Sequence, residues 1–395
     1  METEEPSLPS ATPAATNAEL VLTPGPQEPA AAEEPYRGLR WIFIGSQGLR
    51  AGWSVLVFLI LFVALNAAFD TAIFLAHLVG TPDEFTPGPQ FFAEAGSLLA
   101  LLIAAAILGL IEGRCIPAYN LTGPRRTQHF FIGLAAGFLA LSALVGALAA
   151  GGWLHFGPAS LTGAAIFRFA LLWGCVFLLS GAFEEGMFRC YGLFTLARGI
   201  DFWWALGVVA VLCAYLAIFV GGSASTGVYA AAVLGLIPCY ALHQRAAPRS
   251  GQKSAPRSGS GFWCAAWVTS ALFGYVHISN PNEGGIGIFA TAFIGFVFCV
   301  SVRVTGSAWW AIGCHAAWDW AETFFYGAAD SGLAPHGCYL TSSPAGNPLW
   351  SGGAIGPEGS LLVLGAILFL LALVLVYGRL SARAQSAPAA LKQAP

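Results

Sequence analysis

The chain has 395 residues, of which 57% are hydrophobic and only 9% charged. With a mean hydropathy of +0.70, this composition excludes an ordinary soluble domain and predicts an all-α, polytopic bundle of transmembrane helices. The net charge of −3 at pH 7 offers no basic surface, so we expect no nucleic-acid partner.

Residues 1–36 are rich in Pro, Ala, Thr and Glu and hold too little apolar surface to order themselves, so we predict a disordered tail. Ten apolar runs follow, and a helix needs about 20 residues to cross the hydrocarbon core. The runs are 52–78, 91–111, 130–150, 165–197, 202–220, 226–242, 262–282, 286–302, 308–325 and 360–378. Because the sixth and eighth are the weakest, we predict about 8–10 spans. The fourth run is too long for one straight crossing and should tilt, kink or end in the interface.

The basic residues predict the orientation of the chain. Arg and Lys lie before the first run and after the second, fourth, sixth, eighth and tenth runs. The intervening connections hold Asp83, Glu84 and Asp330 and almost no basic residues. Because Arg and Lys concentrate on the cytoplasmic side, we predict a multi-pass protein of the inner (plasma) membrane with both termini in the cytoplasm.

The fourth run contains three ionisable residues, Glu184, Glu185 and Arg189, in otherwise apolar sequence. Each ionisable side chain at membrane depth costs about 2.5–3.5 kcal/mol on insertion scales, which points to a functional site. Glu185 and Arg189 are four residues apart, with the acid on the N-terminal side, so an ion pair is expected. Glu184 points about 100° away around the helix and remains free to accept a proton from water.

Two further motifs repeat the four-residue spacing. Phe273 and His277 share one helix face, and His315 and Asp319 share another, with Glu322 continuing that second face. A carboxylate one turn from a histidine fixes the tautomer of the imidazole, or both side chains coordinate a metal.

The three motifs should lie at a similar depth in the membrane. Counting about 1.5 Å per residue from the predicted cytoplasmic helix ends, Glu184, His277 and His315 lie roughly 21, 22 and 18 Å along their helices. A shared polar site near the middle of the membrane is therefore feasible.

Two chemical interpretations follow from this set. One Glu and two His are ligands seen in catalytic zinc sites. Alternatively, Glu184 acts as general base on a water that His277 helps to hold, while His315 and Asp319 face the developing oxyanion. Either way the reaction is addition of water to a carbonyl, best suited to a peptide bond. No HExxH motif is present, since Ala316 follows His315, so a zincin is excluded.

The ordered motifs EExxxR, FxxxH and HxxxN/D on separate helices resemble the CPBP family of intramembrane proteases. This family is named for CAAX and bacteriocin processing and includes the type II CAAX prenyl endopeptidase. The resemblance covers roughly residues 160–325 and implies a catalytic membrane core there. The flanking parts would be a set of N-terminal transmembrane helices (37–159) and a segment with an extracytoplasmic loop, the last span and a cytoplasmic tail (326–395).

The resemblance also implies roles for single residues. Glu184 would be the catalytic glutamate with His277 as its partner, and His315 and Asp319 would stabilise the oxyanion or bind a divalent metal such as zinc. Supporting residues would be Glu185, Arg189 and Phe273. The eukaryotic branch carries Asn where Asp319 stands, and an ionised Asp cannot donate a hydrogen bond to an oxyanion.

The expected partners are the lipid bilayer and a membrane-embedded or lipidated protein or peptide substrate. The sequence does not select between CAAX processing and a bacteriocin or immunity role. Two other classes stay open: an ion- or proton-coupled transporter that uses the same polar cluster, and a non-catalytic membrane immunity or scaffold protein.

Overall fold

The computed structural model describes residues 40–45, 48–79, 85–246 and 260–391. The predicted disordered tail, 1–36, lies outside these residues, as do Asp83, Glu84 and most of the basic loop after the sixth run. The chain separates into two units, Met1–Ile42 and Phe43–Pro395. Only Arg40–Ile42 of the first unit is described, and the site lies wholly in the second.

Helices form nearly all of the regular structure in the described residues. They are α1 (Arg40–Phe43), α2 (Ala51–Leu75), α3 (Pro87–Glu112), α4 (Arg126–Ala150), α5 (Ala164–Glu185), α6 (Leu193–Ala197), α7 (Phe202–Tyr215), α8 (Gly222–Ala246), α9 (Ser260–Val276), α10 (Gly285–Thr305), α11 (Trp309–Trp320), α12 (Pro348–Ser351) and α13 (Val363–Leu391). Two short antiparallel pairs complete it: β1 (Ile44–Gly45) with β2 (Gly48–Leu49), and β3 (Leu154–Phe156) with β4 (Ser342–Pro344).

Nine helical segments of the described chain are long and apolar enough to cross a membrane, which confirms the predicted helical membrane bundle. The sixth and eighth runs, the weakest in the sequence, are among them. The run at 308–325 is not, because α11 has 12 residues and continues for only five more as a π-helical turn, Ala321–Phe325. Strongly exposed apolar side chains such as Phe167 and Phe219, at 79% and 72%, suit the lipid-facing surface of such a bundle.

The fourth run forms one helical segment from Ala164 to Ala197. Its irregularity takes the form of a π-helical turn, Gly186–Gly192, between α5 and α6. A π turn changes the angular spacing of the side chains that follow it and is common at functional sites. Here it begins directly after Glu185 and contains Arg189.

Helices α4 and α11 pack with their backbones in contact. Gly133 and Gly137 of α4 have GxxxG spacing, and a Cβ on either would collide with a backbone oxygen of α11. Gly313 of α11 is equally close to the backbone of α4. Small residues allow this approach between membrane helices, and the contact fixes α11 only two residues before His315.

Residues 326–362, which we call the cap, cover one end of the bundle. The indole of Trp173 donates to the carbonyl of His336 at 3.2 Å, and Pro335 pairs with Phe85 at the start of α3. Within the cap, the amide of Gly332 donates to the carbonyl of Ile355 at 2.9 Å. At the other end, the amide of Ala308, just before α11, donates to the carbonyl of Asn120 at 2.8 Å. Helix α11 therefore runs from that end to the cap.

Candidate active site

Glu184, His277, His315 and Asp319 line one cavity of about 660 Å³ inside the bundle. Glu184 comes from the last turn of α5, and His277 begins a 3₁₀ turn that follows α9. His315 and Asp319 lie one turn apart on α11. The folded chain thus brings together all four side chains that the motifs predicted as catalytic.

Glu184 faces both histidines. Its Oε2 lies 3.7 Å from Nε2 of His277 and 3.9 Å from Nε2 of His315. Both distances are too long for a direct hydrogen bond, and separations of this size suit a bridging water. The carboxylate is therefore positioned to share a small molecule with the imidazoles.

The tautomer of His277 follows from its backbone contact. Nδ1 lies 2.7 Å from the carbonyl oxygen of Phe273. Because a carbonyl can only accept, the proton of this hydrogen bond belongs to Nδ1. In the neutral ring, Nε2 is left as an acceptor directed at Glu184.

His315 has a different orienting partner from the one that its spacing predicted. Nδ1 lies 2.9 Å from Oε1 of Glu185 on the neighbouring helix. Asp319, which the spacing offered either to fix the tautomer or to bind a metal together with His315, approaches Nε2, with Oδ2 at 3.4 Å. Glu185 therefore orients the ring, whereas Asp319 lies on the cavity side beside Nε2.

The ion pair expected between Glu185 and Arg189 is present and fully buried. Nε and Nη1 of Arg189 lie 3.3 Å from the two carboxylate oxygens, and both side chains are 0% exposed. Glu185 therefore holds two partners at once, the guanidinium of Arg189 and the imidazole of His315. A buried charge pair is tolerated only when both members stay matched, so this contact couples the π turn to α11.

Arg189 is enclosed on its other sides. Its guanidinium carbon lies 4.0 Å from the centre of the Phe273 ring, a cation–π contact. Gly295 leaves room for it, since a Cβ there would collide with Nη2. Phe273 also contacts the ring of His277, with centroids 4.7 Å apart. Phe273 thus links the buried ion pair to the histidine of the cavity.

The resemblance to a metalloprotease family raises the question of a metal. In the described residues, no group of three or more His, Cys, Asp or Glu side chains is arranged to hold a metal ion. The donor pairs of the cavity are 3.4–3.9 Å apart.

Three carboxylates of the cavity were not predicted as site residues. Glu94 of α3 and Asp330 and Glu358 of the cap line it together with the motif residues. Glu94 had a signal in the sequence, since it is a lone acid in the apolar run 91–111, the same criterion that selected Glu184. Asp330 and Glu358 lie in polar sequence, where an acid is unremarkable.

Glu322 does not continue the active face of α11. It lies in the π turn after α11, is 0% exposed and is absent from the described residues that line the cavity. The π turn interrupts the regular α-helical spacing, so the extrapolation from His315 and Asp319 fails at this position.

Three of the four side chains at the centre of this site lie in a segment that matches the model of a known protein family. Residues 250–321 match the family model of type II CAAX prenyl endopeptidase Rce1-like. The matched segment holds His277, His315 and Asp319, and Glu184 precedes it. The match confirms the family resemblance seen in the motifs and supports a CAAX-type intramembrane protease in a multi-pass membrane protein. No curated protein and no solved structure matches the chain.

The Rce1-like match covers less than a fifth of the chain. It implies a membrane-embedded protein as the substrate of the family. The EExxxR motif lies outside it and is tied to the matched segment by contacts, chiefly the 2.9 Å approach of His315 to Glu185. The division of the chain at 37–159, 160–325 and 326–395 remains a prediction.

Proposed function

We propose that the protein is an intramembrane endopeptidase that hydrolyses a peptide bond of a membrane-associated protein or peptide. The observation that carries the proposal is the convergence of Oε2 of Glu184 with Nε2 of both histidines in one cavity. The Glu184 carboxylate and Nε2 of His277 are 3.7 Å apart, too far for a direct hydrogen bond and close enough for one water beside them to donate to both.

In the first step, a water donates one hydrogen bond to Glu184 and the other to Nε2 of His277. Glu184 takes a proton as the water oxygen attacks the peptide carbonyl, so one C–O bond forms and the carbonyl oxygen becomes an oxyanion. Glu184 then passes that proton to the amide nitrogen, the C–N bond breaks, and an acid and an amine leave. The carboxylate is restored, and the proton count balances.

His315 and Asp319 are assigned to the oxyanion. With Nδ1–H donated to Glu185, a second proton on Nε2 lets His315 donate toward the cavity. Asp319 beside that nitrogen either orients it or, in its protonated form, donates a second hydrogen bond. Preorganised donors of this kind contribute through electrostatic stabilisation of the transition state.

The direct test is cleavage. Purified protein in lipid vesicles is incubated with membrane-anchored peptides, and the fragments are identified by mass spectrometry. Fragments from a single peptide bond, absent when Glu184 is replaced, support the proposal. Intact peptide accompanied by proton or ion flux into the same vesicles would support the transporter alternative. If neither cleavage nor flux is measured, the result supports the non-catalytic alternative.

The role of Asp319 separates a metal-free mechanism from a metal-assisted one. Without a metal, Asp319→Asn supplies an N–H₂ donor to the oxyanion, as in the eukaryotic relatives, and should keep or raise kcat. With zinc bound by Glu184, His277, His315 and Asp319, the same change should weaken metal binding and activity, and a chelator should inactivate the wild type. Elemental analysis of protein purified without a His-tag is the paired measurement. Stoichiometric metal together with full activity in Asp319→Asn would contradict both versions.

The orientation of the chain has its own test. The basic residues place the loop near residue 250 and the C-terminus on one side, so reporter fusions at both positions should read cytoplasmic. Both fusions can read cytoplasmic only if α11 crosses the membrane despite its short length. Its path from the end of the bundle near Asn120 to the cap supports such a crossing. Opposite readings would mean that an odd number of helices crosses between them. In the expected orientation, the cap and the cavity beneath it lie on the extracytoplasmic side.

A further inference from the structure

The lining of the cavity is strongly acidic, and we call its three carboxylates outside the motifs, Glu94, Asp330 and Glu358, the acidic wall. They line the cavity in addition to Glu184 and Asp319. Among the described residues that line the cavity, none is Arg or Lys. The proposed hydrolysis assigns work to Glu184 and Asp319 and leaves the other three carboxylates without a role.

Asp330 and Glu358 are held by neutral donors only. Thr323 donates to Asp330 at 2.7 Å. The indole of Trp318 donates to Oε1 of Glu358 at 2.9 Å, and Ser331 donates to Oε2 at 3.2 Å. These hydrogen bonds fix both carboxylates in place but do not neutralise them. None of the ion pairs of the described residues includes either group.

Glu322 adds a third carboxyl group behind this wall. It is 0% exposed, and it lies close enough to Glu358 and Asp330 for the carboxyl groups to interact electrostatically. None of the ion pairs of the described residues includes a member of this acidic cluster (Glu322, Asp330 and Glu358), so the cluster has no positive partner there.

The pKa values of two carboxyl groups in and beside the cluster also reflect the absence of a positive neighbour. Burial and the charge of Glu358 raise the pKa of Asp330 to about 7. The same two causes raise the pKa of Glu283, in the connection before α10, to about 7. A cation placed against the wall would relieve this repulsion.

We propose that the acidic wall binds a basic side chain of the substrate, so that the enzyme selects membrane-associated peptides with Arg or Lys near the scissile bond. This inference rests on the proposed peptidase function and specifies its substrate class. The wall shares a cavity with the catalytic side chains, so a bound peptide would reach both. Guanidinium and ammonium groups form charge-assisted hydrogen bonds with preoriented carboxylates such as Glu358.

The test compares peptides that differ by one charge. Full-length protein in lipid vesicles receives membrane-anchored peptides that carry Arg, uncharged citrulline or Glu at successive positions around the cleaved bond. At one position we expect kcat/KM for Arg to exceed that for citrulline by about tenfold or more, mainly through KM. Glu358→Gln and Asp330→Asn should bring this ratio toward one. The matched control is Asp70→Asn, which removes an exposed acid of α2 outside the cavity and should leave the ratio unchanged.

A binding experiment keeps the two proposals distinguishable. The Glu184→Gln variant is titrated with fluorescently labelled versions of the same Arg and citrulline peptides. Their affinity is then measured without cleavage. If the wild type cleaves nothing while this variant still prefers the Arg peptide, the peptidase function fails and the cation site stands. Equal affinity for both peptides, or an Arg-to-citrulline ratio that Glu358→Gln and Asp330→Asn leave unchanged, would overturn the cation site whatever the cleavage result.

Discussion

Replacing Glu184 by Gln is expected to lower kcat/KM for peptide cleavage by about 10²–10⁴-fold, the usual loss when a general base is removed. Gln has nearly the same shape but cannot take a proton from water at neutral pH. Glu184 is partly exposed to the cavity, and its carboxylate stands 3.7 and 3.9 Å from its two histidine neighbours. The substitution therefore removes little that stabilises the fold.

The measurement is a kinetic assay on protein whose thermal unfolding is recorded in parallel. We expect unfolding within a few degrees of the wild type. His277→Ala should cause a comparable loss of activity, because it removes the second acceptor of the attacking water. Activity of Glu184→Gln within a few-fold of the wild type would remove Glu184 from the mechanism.

Replacing the adjacent Glu185 by Gln should act on stability first. The change leaves Arg189 charged at 0% exposure with no counter-ion, and breaking one side of a buried pair typically costs about 3–5 kcal/mol. The amide oxygen of Gln can still accept from Nδ1 of His315, so the variant isolates the loss of charge. We expect a markedly lower unfolding temperature in detergent and reduced expression.

The double variant Glu185→Gln with Arg189→Met provides the control. Removing the unpaired guanidinium should recover much of the lost stability, since an apolar replacement of a buried pair is often neutral. Glu184→Gln is the matched neighbour, one residue away, with the same chemical change and no destabilisation expected. If Glu185→Gln unfolds at the wild-type temperature, the buried pair is not a stabilising contact.

Much of the architecture was predictable because the membrane imposes a local rule. A spanning segment must be predominantly apolar over about 20 residues, so hydropathy located nearly all of the long helices, including the span with Glu184. Charged residues are costly at such depth, so Glu184, Glu185 and Arg189 were conspicuous before any contact was known. Spacing within one helix also sufficed for the Glu185–Arg189 pair, because residues four apart share a face.

Contacts between helices were decided by tertiary packing. Spacing offered Asp319 as one carboxylate that could fix the tautomer of His315, but Glu185 approaches Nδ1 at 2.9 Å from a different helix. Periodicity reports which residues share a face and carries no information on how two helices rotate against each other. The close packing of α4 on α11 through Gly133, Gly137 and Gly313 sets that rotation. The π turn after α11 likewise moved Glu322 off the face that regular spacing assigned to it.

The acidic wall shows most clearly which features the sequence predicts and which only the fold decides. Glu94 was visible as an acid in an apolar run, whereas Asp330 and Glu358 lie in polar sequence, where a carboxylate costs nothing by itself. Only the fold of the cap over the bundle brings them to the cavity that holds Glu184. Burial of these groups is created by chain segments distant in sequence, and no local pattern records it.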